Sequence, residues 1–134
     1  MNIASDIVDI NVTNEQVFAL VNDCTHLENQ IPGVQDWKAD AKQCSFSVSG
    51  VGHIEMSIKE EIPYSKVVYS ITSAMSPQSV ELLFLIEGQD NISKLSIVTE
   101  INLPFMISQM VKKPLQKFVN TLASQIKAAA ENRY

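Results

Sequence analysis

The polar and apolar residues in the last part of the chain repeat with the period of an α-helix. Between Pro104 and Ala130, apolar residues recur every three or four positions, separated by mostly polar ones. This spacing predicts a long helix with one buried face. Pro104 suits its first position, while Pro114 lies inside it and predicts a kink, either as simple curvature or as a hinge. The apolar set is Ile107, Val111, Leu115, Phe118, Leu122 and Ile126.

Most of the chain before this helix alternates with a period of two, as β-strands do. Residues 3–12 predict a first strand, and six more strands follow with short turns between them. Strands joined by short turns pair as an antiparallel meander. We therefore expect an α+β fold in which a seven-stranded, curved antiparallel sheet wraps around the long C-terminal helix. The six later strands are predicted at residues 34–38, 44–48, 54–58, 67–71, 80–86 and 95–103.

Two helix starts follow the first strand. Thr13 with Gln16, and then Thr25 with Glu28, have the spacing of a capping box, in which two side chains each accept a backbone N–H of the other residue. Pro32-Gly33 ends the second segment. Two short helices are therefore predicted between strands one and two.

Composition and charge limit the classes of function. The chain has 134 residues, 46% of them hydrophobic, which suits one domain over residues 1–134 with a single core. The net charge of −5, with ten scattered Lys and Arg, disfavours nucleic-acid binding, which needs clustered basic residues. No stretch has transmembrane length and no secretory signal is apparent, so we expect a cytoplasmic protein without membrane insertion.

Few residues suggest catalysis. No His, Asp, Glu or Cys set has metal-ligand spacing, and the chain has no nucleophile motif and no Gly-rich phosphate loop. We expect Cys24 and Cys44 to be free thiols, with a disulfide between them as the less favoured alternative. The sequence predicts no catalytic residue, no metal ligand and no cofactor.

The order of elements resembles the Bet v 1-like superfamily, which includes START and polyketide cyclase/dehydratase (SRPBCC) proteins and is known for its helix-grip fold. Residues 12–21 after the opening strand, residues 26–34, and the C-terminal helix are similar to characteristic segments of that superfamily. The resemblance covers nearly the whole chain. It implies a cavity between sheet and helix that holds an apolar or amphipathic small molecule.

The resemblance also implies which residues line this cavity. They are inward-facing residues of the strands and residues of the helix, and Ser73 and Thr99 are candidates for polar contacts there. The expected lining is Trp37, Phe46, Met56, Tyr69, Phe84, Ile97, Met110, Val111, Leu115, Phe118 and Leu122.

Three functions remain open at this point. The first is non-catalytic binding of a lipid-like or polyketide-like ligand, with affinity from hydrophobic burial. The second is an enzyme of the cyclase or dehydratase type that uses Tyr69, His53 or Glu60 for proton transfer. The third is an interaction module with a closed cavity, and a homodimer is one form of it. The run from Leu82 to Ile86 favours such pairing, because Leu83 and Leu85 would otherwise face solvent.

Overall fold

The computed structural model describes residues 2–31, 33–48, 52–73, 76–101 and 105–133, without the side chains of residues 76–79, 105, 107, 108 and 111. Within these ranges one antiparallel sheet of eight strands faces a long C-terminal helix. The elements in chain order are β1 (Asn2–Ala4), β2 (Val8–Ile10), α1 (Asn14–Val21), a 3₁₀ helix (Cys24–His26), β3 (Val34–Ala39), β4 (Gln43–Val48), β5 (Gly52–Ile62), β6 (Lys66–Ser73), β7 (Ser76–Gln89), β8 (Ile92–Glu100) and α2 (Phe105–Arg133).

The sheet confirms the predicted meander. Its order is β1-β8-β7-β6-β5-β4-β3, and β2 also pairs with β8. Register shifts between Ile58 and Glu60, and between Ile71 and Ser73, mark irregularities in the central strands. Such bulges bend a strand and increase its twist, so they help the sheet to curve around α2. The α+β helix-grip architecture expected from the sequence is confirmed.

The first strand differs from the prediction because it is divided into β1 and β2, which makes eight strands rather than seven in the described part of the chain. Ser5 causes the division. Its backbone N–H donates to the Ile97 carbonyl over 2.8 Å, and its Oγ accepts the Ile97 N–H over 2.8 Å. The serine side chain thus takes a place that a backbone carbonyl holds in a regular ladder. The chain is displaced, and pairing with β8 resumes at Val8.

The two predicted helix starts have different outcomes. The first capping box is present: the Gln16 N–H donates to Thr13 Oγ1 over 3.2 Å, and the Thr13 N–H donates to Gln16 Oε1 over 3.1 Å. The second predicted helix is only the 3₁₀ helix, and it begins earlier than expected. Asp23 caps it by accepting the Thr25 N–H over 2.9 Å, so the predicted Thr25 cap is wrong.

Helix α2 is fixed to the sheet edge by polar contacts along its C-terminal part. Gln116 Nε2 donates to the Ala4 carbonyl over 2.7 Å, and Asn120 Oδ1 accepts the Asp6 N–H over 2.8 Å. Further along, Glu131 accepts the Asn11 N–H over 3.0 Å. These contacts hold α2 over β1 and β2. No helix in the described ranges has the length and hydropathy needed to span a membrane.

Candidate functional site

The centre of the interior is a closed apolar core. Tyr69, Phe84, Ile97 and Leu122 from the predicted lining are all fully buried there, and Phe46 and Met56 are nearly so. The rings of Tyr69 and Phe84 meet edge to face with centroids 5.6 Å apart. These residues therefore contact one another, as core residues do.

Towards one end of the sheet the inner face becomes only partly covered. Ile54 and Ile71 face inwards from β5 and β6 and are half-buried, as is Val48 at the end of β4. Trp37 on the edge strand β3 is also half-buried, and its ring stacks on Phe46 at a centroid distance of 5.2 Å. The sheet here presents an apolar wall with solvent access.

The described side chains of α2 become less buried towards its N-terminal part. Residues seven apart share a helix face, yet Val119 and Ile126 are fully buried whereas Lys112 is exposed. Leu115 and Phe118 mark the boundary because both are half-buried. Among the described residues of this face, burial thus decreases near Leu115.

Both surfaces lie at the end of the sheet where β8 leads into α2, and together we call them the apolar groove, defined by Trp37, Val48, Ile54, Ile71, Leu115 and Phe118. Among the predicted lining residues whose side chains the structure describes, Trp37, Leu115 and Phe118 belong to it. Met110 is 78% exposed on α2, and the side chain of Val111 lies outside the described residues. Pro104 also lies outside them. Alternation along β4, β5 and β6 indicates that Val48, Ile54 and Ile71 face inwards, but it does not indicate that they are partly exposed.

The buried phenol of Tyr69 has a structural partner. Its hydroxyl donates to the Val21 carbonyl over 2.6 Å, which ties β6 to the end of α1. Burial raises the pKa of Tyr69 well above its ordinary value, and nearby Cys24 adds to the effect. The phenol therefore stays neutral, and its proton is engaged by the main chain.

Replacing Tyr69 with phenylalanine should lower the free energy of unfolding by about 1–3 kcal/mol, because the Val21 carbonyl loses its partner inside the core. Urea denaturation followed by tryptophan fluorescence measures this loss. The control is Tyr64→Phe: Tyr64 is 48% exposed, and its variant should stay within about 0.5 kcal/mol of wild type. Equal effects of the two substitutions would contradict this role for Tyr69.

Cys24 and Cys44 are both buried and free. The neighbouring Cys44 thiol, as a hydrogen-bonding group, lowers the pKa of Cys24, while Cys24, and then burial, raise the pKa of Cys44. Cys44 belongs to β4, and Cys24 begins the 3₁₀ helix near Tyr69. The pair contributes to packing in the core below the apolar groove.

The residues considered for proton transfer do not come together. His53 is exposed beside Glu55, with 3.5 Å between His53 Nε2 and Glu55 Oε1. Glu60 is exposed and lies 3.8 Å from Lys66 Nζ. Tyr69 is buried on the inner side of the sheet. In the described part of the chain, no group of three or more His, Cys, Asp or Glu is placed to hold a metal ion.

A polar depression of about 480 Å³ lies on the outer side of β3–β6, away from α2. Small hydroxyl side chains from neighbouring strands form much of its floor, and Lys38 and Glu55 lie among its charged residues. Its surroundings suit water rather than an apolar ligand. The hydroxyl residues are Ser45, Ser57, Ser70 and Thr72.

The outer face of β7 carries the apolar residues that favoured an interaction module. Leu83 is half-buried and pairs with Val68 on one side and Val98 on the other. Leu85 is half-buried and pairs with Lys66 and Ser96. Neighbouring strands therefore cover a part of both leucines.

Comparison with known proteins places this fold in a family. A solved structure of an uncharacterised protein from Bacillus thuringiensis is similar, with 12% sequence identity and a TM-score of 0.77 over 97% of this chain and 98% of that one. The protein XoxI from Bacillus cereus has 13% identity and a TM-score of 0.76 over 96% of this chain and 94% of its own. A START superfamily protein from Mycobacterium smegmatis has 14% identity and a TM-score of 0.74 over 99% of both chains. No curated protein matches the chain. The family model for CoxG, a subunit of carbon monoxide dehydrogenase, matches residues 7–132. The chain therefore has the START-like, SRPBCC fold and belongs to the CoxG family.

Proposed function

We propose that this protein binds a hydrophobic or amphipathic small molecule, lipid-like or polyketide-like, in the apolar groove and without catalysis. The observation that carries the proposal is the exposure gradient along the inner face of the sheet. Inward-facing side chains are fully buried at the centre, and Val48, Ile54 and Ile71 are half-buried at the end of the sheet where β8 leads into α2. An apolar concave surface with partial access to solvent is the usual form of a small-molecule site.

Hydrophobic burial supplies the affinity in this proposal. Each Å² of apolar surface removed from water stabilises a complex by about 25 cal/mol, so covering about 200 Å² of the groove would contribute about 5 kcal/mol before the entropy of association is subtracted. The aromatic pair Trp37–Phe46 offers a flat apolar surface for a ring or chain. Exposed Met106 and Met110 lie on the N-terminal part of α2, and methionine adapts to ligands of different shape.

Nile red, a neutral apolar dye that becomes fluorescent when removed from water, tests the proposal. It should bind the wild-type protein at one site, and Ile54→Asn should weaken that binding about tenfold, which corresponds to about 1.4 kcal/mol. The matched control is Ile62→Asn, because Ile62 belongs to the same strand but is exposed outside the groove. We expect its affinity to stay within about twofold of wild type, well under 1 kcal/mol.

Both variants need thermal melts to show that they fold. Folded Ile54→Asn protein that binds Nile red as tightly as wild type would contradict the proposed site. Wild-type protein that binds no Nile red, and that carries no co-purifying apolar molecule in native mass spectrometry, would contradict the proposed function itself.

A further inference from the structure

Thr99 carries a buried hydroxyl without a hydrogen-bond partner in the described part of the chain. Its residue is 4% exposed, and it faces inwards from β8 together with Leu95 and Ile97. A buried polar group without a partner costs about 1–3 kcal/mol, so such groups are rare and ask for an explanation.

In the described ranges two other buried side-chain atoms lack a partner, His26 Nδ1 in the 3₁₀ helix and Ser93 Oγ on β8. The Tyr69 hydroxyl donates to Val21, and Ser5 Oγ accepts the Ile97 N–H. Ser93 Oγ also lacks a partner, but Ser93 pairs with Ile10 and Gly88 at the opposite end of β8. Thr99 is six positions after Ser93, which is about 20 Å along a strand.

The register places Thr99 next to the groove. Thr99 on β8, Leu82 on β7 and Tyr69 on β6 are cross-strand neighbours and lie side by side on the inner face of the sheet. The next inward-facing residue on β6 is Ile71, a groove residue that pairs with Met56. The cross-strand row that contains Thr99 is thus the one next to Ile71, on the side of the buried core.

Helix α2 crosses the sheet above the same place. Thr99 pairs with Ile3 on its other side, and the next residue of β1, Ala4, accepts the hydrogen bond of Gln116. Gln116 follows Leu115, where the burial of α2 decreases. Thr99 therefore lies beneath α2, on the core side of the apolar groove.

We propose that Thr99 is the hydrogen-bonding anchor of the apolar groove, and that the ligand is a neutral apolar molecule that brings a carbonyl or hydroxyl group to it. This inference rests on the proposed function. A threonine hydroxyl donates to a carbonyl and also accepts from a hydroxyl. The buried polar or charged residues in the described ranges are Ser5, Ser93 and Thr99, none of them charged. A charged head group at that depth would lose its hydration without gaining a counter-ion.

Three probes with eleven carbons test the inference by displacing Nile red at pH 8: undecan-2-one, undecane and undecanoate. In Thr99→Val, which keeps the shape but removes the hydroxyl, undecan-2-one should bind about 5- to 10-fold more weakly than in wild type, matching about 1–1.4 kcal/mol for one hydrogen bond. The affinity for undecane should not fall.

Two variants serve as controls. Thr99→Ser should keep the affinity for the ketone, and so should Ser93→Ala, which removes the other unpartnered hydroxyl far from the groove. Undecanoate should bind wild type more weakly than the ketone.

The outcomes separate this inference from the function on which it rests. If Thr99→Val binds undecan-2-one as tightly as wild type, or if undecanoate binds wild type more tightly than the ketone, the anchor role is overturned while the proposed function stands. If neither Nile red nor any probe binds wild type, both are overturned. An infrared spectrum of carbonyl-¹³C undecan-2-one on wild-type protein does not depend on the variant folding. Its carbonyl stretch should lie below the value in hexane, and a stretch at the hexane value would overturn the anchor role.

Discussion

Replacement of Phe84 by alanine should lower the free energy of unfolding by about 3–5 kcal/mol, the range for aromatic residues deleted from packed cores. Phe84 is fully buried, and its ring makes an edge contact with Tyr69. Its β-sheet neighbours are Val67 and Ile97, both also fully buried. The surrounding core cannot collapse into the vacated space, since strands fix it from both sides. Urea denaturation, or the midpoint of a thermal melt, measures the loss.

The matched comparison is Phe118→Ala. Phe118 is the same residue type and came from the same predicted lining, but it is half-buried at the edge of the groove. Its deletion leaves a wider groove instead of a closed cavity, so we expect a loss of about 1 kcal/mol. Similar losses in the two variants would mean that the core and the groove are not distinct regions.

Replacement of Trp37 by alanine should weaken Nile red binding about 30-fold, the equivalent of about 2 kcal/mol. The indole is half-buried, stacks on Phe46 and forms the part of the groove wall that lies on the edge strand β3. A stacked aromatic side chain presents a large rigid apolar surface at little entropic cost, which makes it the strongest single contributor to a site of this kind.

Stability should respond much less than binding to this change, because Trp37 is covered on one side only. Fluorescence titration with Nile red, alongside urea denaturation followed by circular dichroism, separates the two effects. Tyr64→Ala is the control: it removes a half-exposed aromatic residue that packs on Phe18 rather than on Phe46. Equal loss of dye affinity in both variants would show that the dye reports on general surface hydrophobicity and not on the groove.

The fold could be predicted from sequence because its signals are periodic. A period of two indicated the strands, the three-and-four spacing indicated α2, and the pair Thr13–Gln16 indicated the start of α1. The division of the first strand could not be predicted in this way. It depends on the Ser5 side chain and the main chain of Ile97, which are ninety-two residues apart in sequence. Alternation of apolar residues carries no information about such a contact.

The groove was only partly predictable for a related reason. Alternation identifies which side chains face inwards, but it does not say where along the strand the covering helix ends. Phe84 and Ile97 were therefore grouped with Trp37 as lining, although the structure buries the first two completely. Lys112 is the sequence signal that could have located this boundary, because it shares a helix face with Val119 and Ile126 and a lysine rarely occupies a covered position.

The most direct test of ligand binding in the groove is methyl NMR of isoleucine-labelled protein titrated with undecan-2-one. We predict that the methyl signals of Ile54 and Ile71 shift in a saturable manner, because both lie in the groove wall. The methyl signals of the exposed Ile7 and Ile62 should stay unchanged. Shifts confined to Ile7 and Ile62, or no saturable shift in any isoleucine, would contradict ligand binding in the groove.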